Sequence, residues 1–294
     1  MTDKPQITQE MIRLYDEFTH VTLDRRSFMS RLTQLAGSSA AAYAVLPLLQ
    51  NNYAAAQMVP EDDARVTAET ITWQGATGEL SGYLVRPADA SEPLPAVMVI
   101  HENRGLNAHI RDVARRVALE GYLALAPDFL SPAGGTPQDE DRAREMIGAL
   151  DMGQTIENAV ATVGYLGEHE ASNGNVGVVG FCWGGALANQ TAVNAPELDA
   201  AVAYYGRVPD PADVPNIQAR LLLHYAGLDE RINQGIPSYR EALEQAGVDH
   251  TIHLYEGANH AFNNDTNAAR YDREAAELAW SRTIQLFDET LKGA

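Results

Sequence analysis

From residue 96 to residue 291 the chain alternates short apolar runs with longer segments of helical periodicity. The apolar runs, typical of strands buried on both faces, are 96–100, 122–126, 175–179, 200–204, 221–225 and 251–255. The segments with helical periodicity are 110–119, 142–150, 155–166, 184–193, 237–246 and 273–291. Because parallel strands need a long and usually helical crossover, this alternation predicts an α/β fold, a mostly parallel twisted sheet with helices on both faces.

An antiparallel hairpin is predicted ahead of this alternation. The strand-like segments 70–73 and 82–86 flank a turn-rich segment at 75–81. No internal repeat or low-complexity linker interrupts the rest of the chain. Residues 57–294 are therefore predicted to form one domain with a core that needs no disulfide or metal to hold it.

The first 56 residues differ in composition from the rest of the chain. Arg25 and Arg26 precede a small, apolar stretch at 35–49, and an Ala-Ala-Ala-Gln sequence follows at 54–57. These are the parts of an export signal, and paired arginines are typical of the twin-arginine kind. Residues 1–56 are thus predicted to be cleaved after Ala56, leaving a periplasmic or exported protein. The apolar stretch is too short for a stable membrane span.

A retained helical arm is the second interpretation of residues 1–56. The segment 7–23 is long and amphipathic for the start of an export signal. In this interpretation residues 8–50 form helices that pack on the domain or on a partner subunit, and the protein stays in the cytoplasm. The sequence leaves both interpretations open, together with the oligomeric state and whether a second copy of the chain is a partner.

Charge and cysteine content exclude several kinds of function. The net charge is −19, and nucleic acids or anionic membranes are not expected as partners because phosphate contacts need clustered Lys and Arg. Cys182 is the only cysteine, which excludes an internal disulfide and a cysteine-rich zinc site. Neither a His-Glu-x-x-His pattern nor a glycine-rich phosphate loop occurs, so no metal and no cofactor are expected.

The strongest local motif is Gly-Phe-Cys-Trp-Gly-Gly at 180–185. It lies between a predicted strand and a predicted helix, and it fits the Gly-x-nucleophile-x-Gly elbow with Cys182 in place of serine. The nucleophile of such a turn has a strained backbone, so Gly180 and Gly184 must lack side chains. The amino end of the following helix would favour the thiolate of Cys182.

Two further residues complete a candidate triad. Asp229 and His260 each follow a predicted strand, and the chain order Cys182, Asp229, His260 is the nucleophile–acid–base order of this kind of elbow. Carboxyl ends of parallel strands share one edge of the sheet, which brings the three together. His260 would take the thiol proton, and Asp229 would set the tautomer and orientation of its ring.

These motifs resemble the dienelactone hydrolase (carboxymethylenebutenolidase) family of the α/β-hydrolase fold. The resemblance covers residues 70–292 and is carried by the cysteine elbow, by Gly-Leu-Asp ending at Asp229 and by Asn-His-Ala-Phe at 259–262. Ala-Leu-Ala-Pro-Asp at 124–128 and Tyr-Tyr-Gly at 204–206 also match. The resemblance implies hydrolysis of a small lactone or ester through a cysteinyl acyl-enzyme.

The same resemblance implies roles for the loop after the strand at 96–100. Glu102 matches the family's glutamate that holds the thiol and helps to form the thiolate when substrate binds. The oxyanion hole of this fold uses the amide after the nucleophile and one from this loop, which map to Trp183 and Asn103.

Substrate recognition departs from the family pattern. Well-known members bind the substrate carboxylate with two arginines; Arg144 or Arg142 matches one loosely, and Asn264 stands where the other is expected. Asparagine lacks the bidentate fork of arginine, so Arg104 or Arg207 would have to substitute. The candidate substrate-binding residues are Arg104, Arg144, Tyr205, Phe262 and Asn264.

The sequence thus predicts a carboxylic ester hydrolase that acts on a small lactone or ester. A broad-specificity esterase or thioesterase with the same triad is the first alternative. The second alternative is a non-catalytic binding or assembly subunit, although such a protein has no need of a complete triad.

Overall fold

Eight strands form one sheet in the order β1-β2-β4-β3-β5-β6-β7-β8 in the computed structural model, which describes residues 6–20, 23–53 and 57–293. The strands are β1 Val66–Gly75, β2 Gly78–Pro87, β3 Leu94–Ile100, β4 Leu123–Asp128, β5 Ser172–Phe181, β6 Ala200–Tyr204, β7 Arg220–Ala226 and β8 His250–Tyr255. Strand β2 pairs antiparallel with β1 and β4, and all other pairs are parallel. The predicted α/β fold and its initial hairpin are confirmed.

The helices connect the strands as the alternation predicts. In the domain they are α4 Ala108–Leu119, α5 Glu140–Gly148, α6 Met152–Glu168, α7 Trp183–Asn194, α8 Glu230–Asn233, α9 Ile236–Ala246 and α10 Arg273–Leu291. Only the four-residue α8 has no counterpart among the predicted segments, because one helical turn is too short to show a periodicity.

Each face of the sheet has its own apolar core. One core lies against α4 and α10 and includes Val99, Val179 and Phe287. The other lies against α6, α7 and α9 and includes Met98, Val178 and Leu187. Successive strand residues point to opposite faces, so a central strand that is apolar throughout supplies both cores.

Three further helices precede the sheet: α1 Gln9–His20, α2 Arg25–Ala36 and α3 Ser39–Leu49. We call residues 9–49 the N-terminal arm. Its helices share a separate small core of buried residues, which are Met11, Leu14, Tyr15, Phe18, Phe28, Leu32, Ala42, Val45 and Leu49. Asp24 caps α2, and Ser38 caps α3, each by accepting a backbone N–H hydrogen bond.

The arm is anchored on the domain beside the carboxyl edge of the sheet. Asn267 donates a hydrogen bond to the Leu49 carbonyl over 2.7 Å, and the Asn52 amide donates to the Thr266 carbonyl over 2.7 Å. Within the described residues, no single helix is long and apolar enough to cross a membrane. Only α2 and α3 together reach such a length and composition, and they are bent by 109° relative to each other. The predicted cleavage site at Ala54–Ala56 lies outside the described residues, so export stays a prediction.

Candidate active site

Cys182 occupies the sharp turn between β5 and α7. Its backbone has φ 56° and ψ −110°, a conformation that L-residues rarely adopt. A Cβ atom on Gly180 would lie 2.0 Å from the Gly184 carbonyl oxygen, and one on Gly184 would lie 2.4 Å from the His101 carbonyl oxygen. Both glycines are thus required by close backbone approach, as the elbow motif predicts.

Asp229 and His260 meet beside this turn. Nδ1 of His260 donates a hydrogen bond to Oδ2 of Asp229 over 2.5 Å, and both side chains are buried. Asp229 also caps the short helix α8 by accepting from the Ile232 amide, which fixes the position of its carboxylate. His260 lies in a tight turn where the next residue, Ala261, has φ 64°.

A second histidine, from the arm, reaches the thiol. Nε2 of His20 lies 3.0 Å from Sγ of Cys182, and the ring of His20 packs on the edge of the His260 ring with centroids 4.5 Å apart. On its other side, Nδ1 of His20 lies 3.0 Å from the Oδ1 atom and 3.0 Å from the carbonyl oxygen of Asp16. The thiol is thus flanked by two histidines, each of which has an aspartate behind it.

These charges change the acidity of the thiol. Burial by itself would raise the pKa of Cys182, but the positive charges of His20 and then His260 outweigh it and lower the pKa to about 6. Burial likewise opposes protonation of both histidines, whose pKa values are nevertheless raised by their anionic neighbours. The group therefore favours a thiolate next to imidazolium at neutral pH.

The aspartates remain ionised for the same reason. Burial would raise the pKa of Asp229, but the charge and hydrogen bond of His260 hold it below its ordinary value. For Asp16, burial is again outweighed, here by His260 and His20 and, more weakly, by Arg270, whose guanidinium lies 3.8 Å away. Both carboxylates can therefore stabilise positive charge on the rings.

Glu102 is buried in the loop after β3 and lines the same cavity as Cys182 and His260. Its Oε2 accepts a hydrogen bond from Nδ2 of Asn264 over 2.7 Å. Asn264, predicted to contact substrate, thus holds the carboxylate of Glu102. Glu102 therefore lies beside Cys182 in the cavity, and among the described residues it forms no hydrogen bond with the thiol.

Of the two residues of the predicted oxyanion hole, Trp183 directly follows Cys182, and Asn103 lines the same cavity as Cys182. Trp183 is the first residue of α7, so its N–H has no acceptor within the helix. The side chain of Asn103 donates to the carbonyl oxygen of Thr19 over 2.8 Å, which ties this loop to the end of α1.

Both candidate arginines are engaged by the arm. Arg104 is buried, donates to the hydroxyl of Tyr15 over 3.2 Å and forms an ion pair with Glu140. Arg144 donates to the carbonyl oxygen of Phe18 over 3.0 Å, and its guanidinium lies 4.3 Å from the centre of the Phe18 ring. In the described conformation, α1 therefore occupies the two arginines predicted to bind a substrate.

The two aromatic candidates lie behind the triad. Tyr205 is buried with φ 40°, and its ring centroid is 5.0 Å from that of His260. Phe262 is fully buried and packs on the rings of Tyr205 and Tyr255. Both support the position of the His260 loop.

Little space remains around the thiol. The cavity that reaches Cys182 has a volume of about 10 Å³, room for about one water molecule. A larger cavity of about 240 Å³ lies against Asp229, Arg231 and Arg13. His260 and Arg270 line both cavities, so they stand between the two spaces.

Sequence reasoning missed Asp16 and His20 as members of this site. The amphipathic pattern of residues 7–23 predicts a helix in the retained-arm interpretation, but it does not say which surface the helix contacts. Of the predicted site residues, Cys182, Glu102, Asn103 and His260 line one cavity, and Asp229 is hydrogen-bonded to His260.

Comparisons with known proteins identify relatives of the domain. The family model described as "Dienelactone hydrolase family" matches residues 80–291. A protein of Escherichia coli strain K12 described as "Putative carboxymethylenebutenolidase" is 34% identical over 244 residues, covering 78% of this chain and 89% of the relative. One of Saccharolobus solfataricus with the same description is 35% identical over 248 residues, covering 72% and 95%.

A solved structure gives the same result for the fold. It is described as a "Putative Dienelactone Hydrolase" of Klebsiella pneumoniae, and it superposes with a TM-score of 0.70 at 29% identity. The match covers 76% of this chain and 99% of that one.

Proposed function

Since the chain belongs to the dienelactone hydrolase family and is a carboxylic ester hydrolase, we propose that it cleaves small lactones or esters through an acyl-enzyme on Cys182. The observation that carries the proposal is the buried thiol at the elbow, next to the hydrogen-bonded pair His260 and Asp229. Family membership favours this activity over the alternative of a non-catalytic assembly subunit.

The reaction has two halves. The thiolate of Cys182 attacks the substrate carbonyl carbon, and the oxyanion that forms is stabilised by the amides of Trp183 and Asn103. His260 gives its proton to the leaving oxygen, and a thioester remains on Cys182. His260 then takes a proton from water, the hydroxide attacks the thioester, and the acid leaves as the thiolate reforms.

Asp229 holds the ring of His260 through both halves. Its hydrogen bond to Nδ1 leaves Nε2 of His260 directed at the reacting atoms, and its charge stabilises the imidazolium. Nε2 is buried and has no hydrogen-bond partner among the described residues, as a group that serves a substrate or a water should be.

The proposal is tested by trapping the acyl-enzyme. The full chain is mixed with an enol lactone or with an aryl ester, quenched in acid and weighed by mass spectrometry. We expect one acyl group per chain, on the only thiol. Comparing kcat/KM across lactones, oxygen esters and thioesters then separates a lactone hydrolase from a broad esterase. Turnover without any acylated Cys182 would contradict the proposed route.

A second prediction concerns the pH at which the thiol ionises. With its pKa lowered to about 6, Cys182 should be mostly thiolate at pH 7, whereas an unperturbed thiol near 8.5 would be mostly protonated. The ultraviolet absorbance of the thiolate, titrated below the range of tyrosine ionisation with Cys182→Ala as blank, measures this directly. Replacing His20 by Asn removes one positive charge and should move the midpoint upward. A midpoint near 8.5 in the wild-type chain would show that the two histidines do not stabilise the thiolate.

A further inference from the structure

We propose that His20, Cys182 and His260 form a binding site for a single zinc ion, which closes the active site together with the arm. The site lies beyond the proposed hydrolysis and does not depend on turnover, since it rests on the positions of three ligand groups. Its ligands come from three distant parts of the chain, which is why residue spacing does not reveal it.

The three ligand atoms are already close enough to share one ion. One nitrogen from each ring and the sulfur of Cys182 all lie within 4.8 Å of one another, and Nε2 of His20 is 3.0 Å from that sulfur. Zinc binds thiolate at about 2.3 Å and imidazole at about 2.0–2.1 Å, so ligands around one tetrahedral ion sit roughly 3–4 Å apart. Small side-chain adjustments would bring all three into range.

The groups that contact the far ring nitrogens of the two histidines are those found in zinc sites. Ligand histidines nearly always have a carboxylate or a carbonyl oxygen on the ring nitrogen that does not bind the metal. Here Nδ1 of His260 donates to Asp229, and Nδ1 of His20 lies 3.0 Å from both Oδ1 and the carbonyl oxygen of Asp16. Each Nε2 is therefore the nitrogen left for a shared ligand.

A second, independent feature points to a ligand at this position. His260 is 4% exposed, and its Nε2 has no hydrogen-bond partner among the described residues. The cavity of about 10 Å³ that His20, Cys182 and His260 line has room for a single small ligand. One thiolate and two imidazoles suit zinc better than Mg²⁺ or Ca²⁺, which take oxygen ligands.

Binding changes the protonation of the site in a defined way. Zinc takes the thiolate and two neutral imidazoles, so any proton on Nε2 of His20 or of His260 leaves to solvent as the metal–nitrogen bond forms. The sulfur lone pair is then used by the metal. In the zinc-bound chain the thiol is protected, and α1 is tied to the elbow through His20.

Cobalt(II), a spectroscopic substitute for zinc, tests the site in the full chain. Purified protein is stripped with a chelator and titrated with Co²⁺ alone, and Zn²⁺ affinity is measured by competition. We expect one Co²⁺ per chain, with a sulfur-to-metal charge-transfer band that Cys182→Ala abolishes. His20→Asn keeps an amide near the position of Nδ1 and removes Nε2; it should weaken Zn²⁺ by more than about 100-fold, since losing even an outer partner typically costs 10–100-fold.

Two further variants keep the outcome interpretable. His169→Ala removes a histidine near the start of β5, at the opposite edge of the sheet, and should leave affinity unchanged. Asp16→Asn should weaken binding by about 10–100-fold without removing a ligand. Thermal melting of the metal-free variants shows whether each remains folded.

The result that overturns the proposal is equally specific. Equal Zn²⁺ affinity in a folded His20→Asn and the wild-type chain, or Co²⁺ binding with no sulfur band, would exclude the site. The proposed hydrolysis fails on a different result, namely turnover of the metal-free chain without acylation of Cys182. Either idea can therefore fail while the other stands.

Discussion

Replacing Cys182 by alanine is expected to lower kcat/KM on esters and lactones by about 10⁴-fold or more and to leave the chain folded. The thiol is the only one in the chain, and it stands at the elbow between two histidines. Alanine has a Cβ at the same place, so the strained turn is kept while the nucleophile is lost. The measurement is steady-state hydrolysis of an activated ester, together with a thermal melt.

Serine at this position is the matched control. Cys182→Ser keeps a nucleophile of similar size, but a hydroxyl is far less acidic than a thiol, and the two histidines are arranged to stabilise a thiolate. We expect it to be nearly as poor as alanine. Activity close to wild type in a folded Cys182→Ala variant would contradict the proposed mechanism as a whole.

The second large effect is expected at Glu102. Glu102→Gln should lower kcat/KM by about 10²-fold or more, the usual size of a lost acid–base contribution. A carboxylate beside the thiolate destabilises the thiolate by charge repulsion. The repulsion is relieved only when the carboxylate accepts a proton or a hydrogen bond during the reaction. Glutamine keeps an oxygen that can accept the hydrogen bond from Asn264, so stability should change little.

The control for Glu102 is an acid of the same kind away from the site. Glu145 is exposed on α5, and Glu145→Gln should leave kinetics unchanged. The pH titration of the Cys182 thiol is measured in both variants. If Glu102→Gln stays within about threefold of wild type with an unshifted titration, Glu102 has no part in the mechanism.

The sheet could be predicted because strands that are buried on both faces are continuous apolar runs in the sequence. Runs such as 96–100 and 200–204 are apolar at every position, and the strands found there are β3 Leu94–Ile100 and β6 Ala200–Tyr204. Strand β5 begins three residues before the predicted 175–179, in a polar stretch with no such trace. The ends of elements are decided by pairing with neighbours, which is not a local property of the chain.

The candidate triad was predictable for a related reason. Strand order places the ends of β5, β7 and β8 along one edge, so residues far apart in sequence converge there. His20 could not be found in this way. Its contact with Cys182 spans 162 residues and depends on how the arm packs on the domain, which no local pattern encodes.

Helix α1 belongs to the same chain as the site that it fills. It therefore competes with substrate for that site, and dilution of the protein does not reduce this competition. A tethered segment keeps an effective concentration on the order of millimolar at its own binding site. Where the arm is retained, we expect substrate to bind only the fraction of molecules in which α1 has left the site, with an apparent Kd equal to the intrinsic value divided by that fraction. The KM of the full-length chain is then expected to include the opening equilibrium of its N-terminus, whereas kcat at saturating substrate is not.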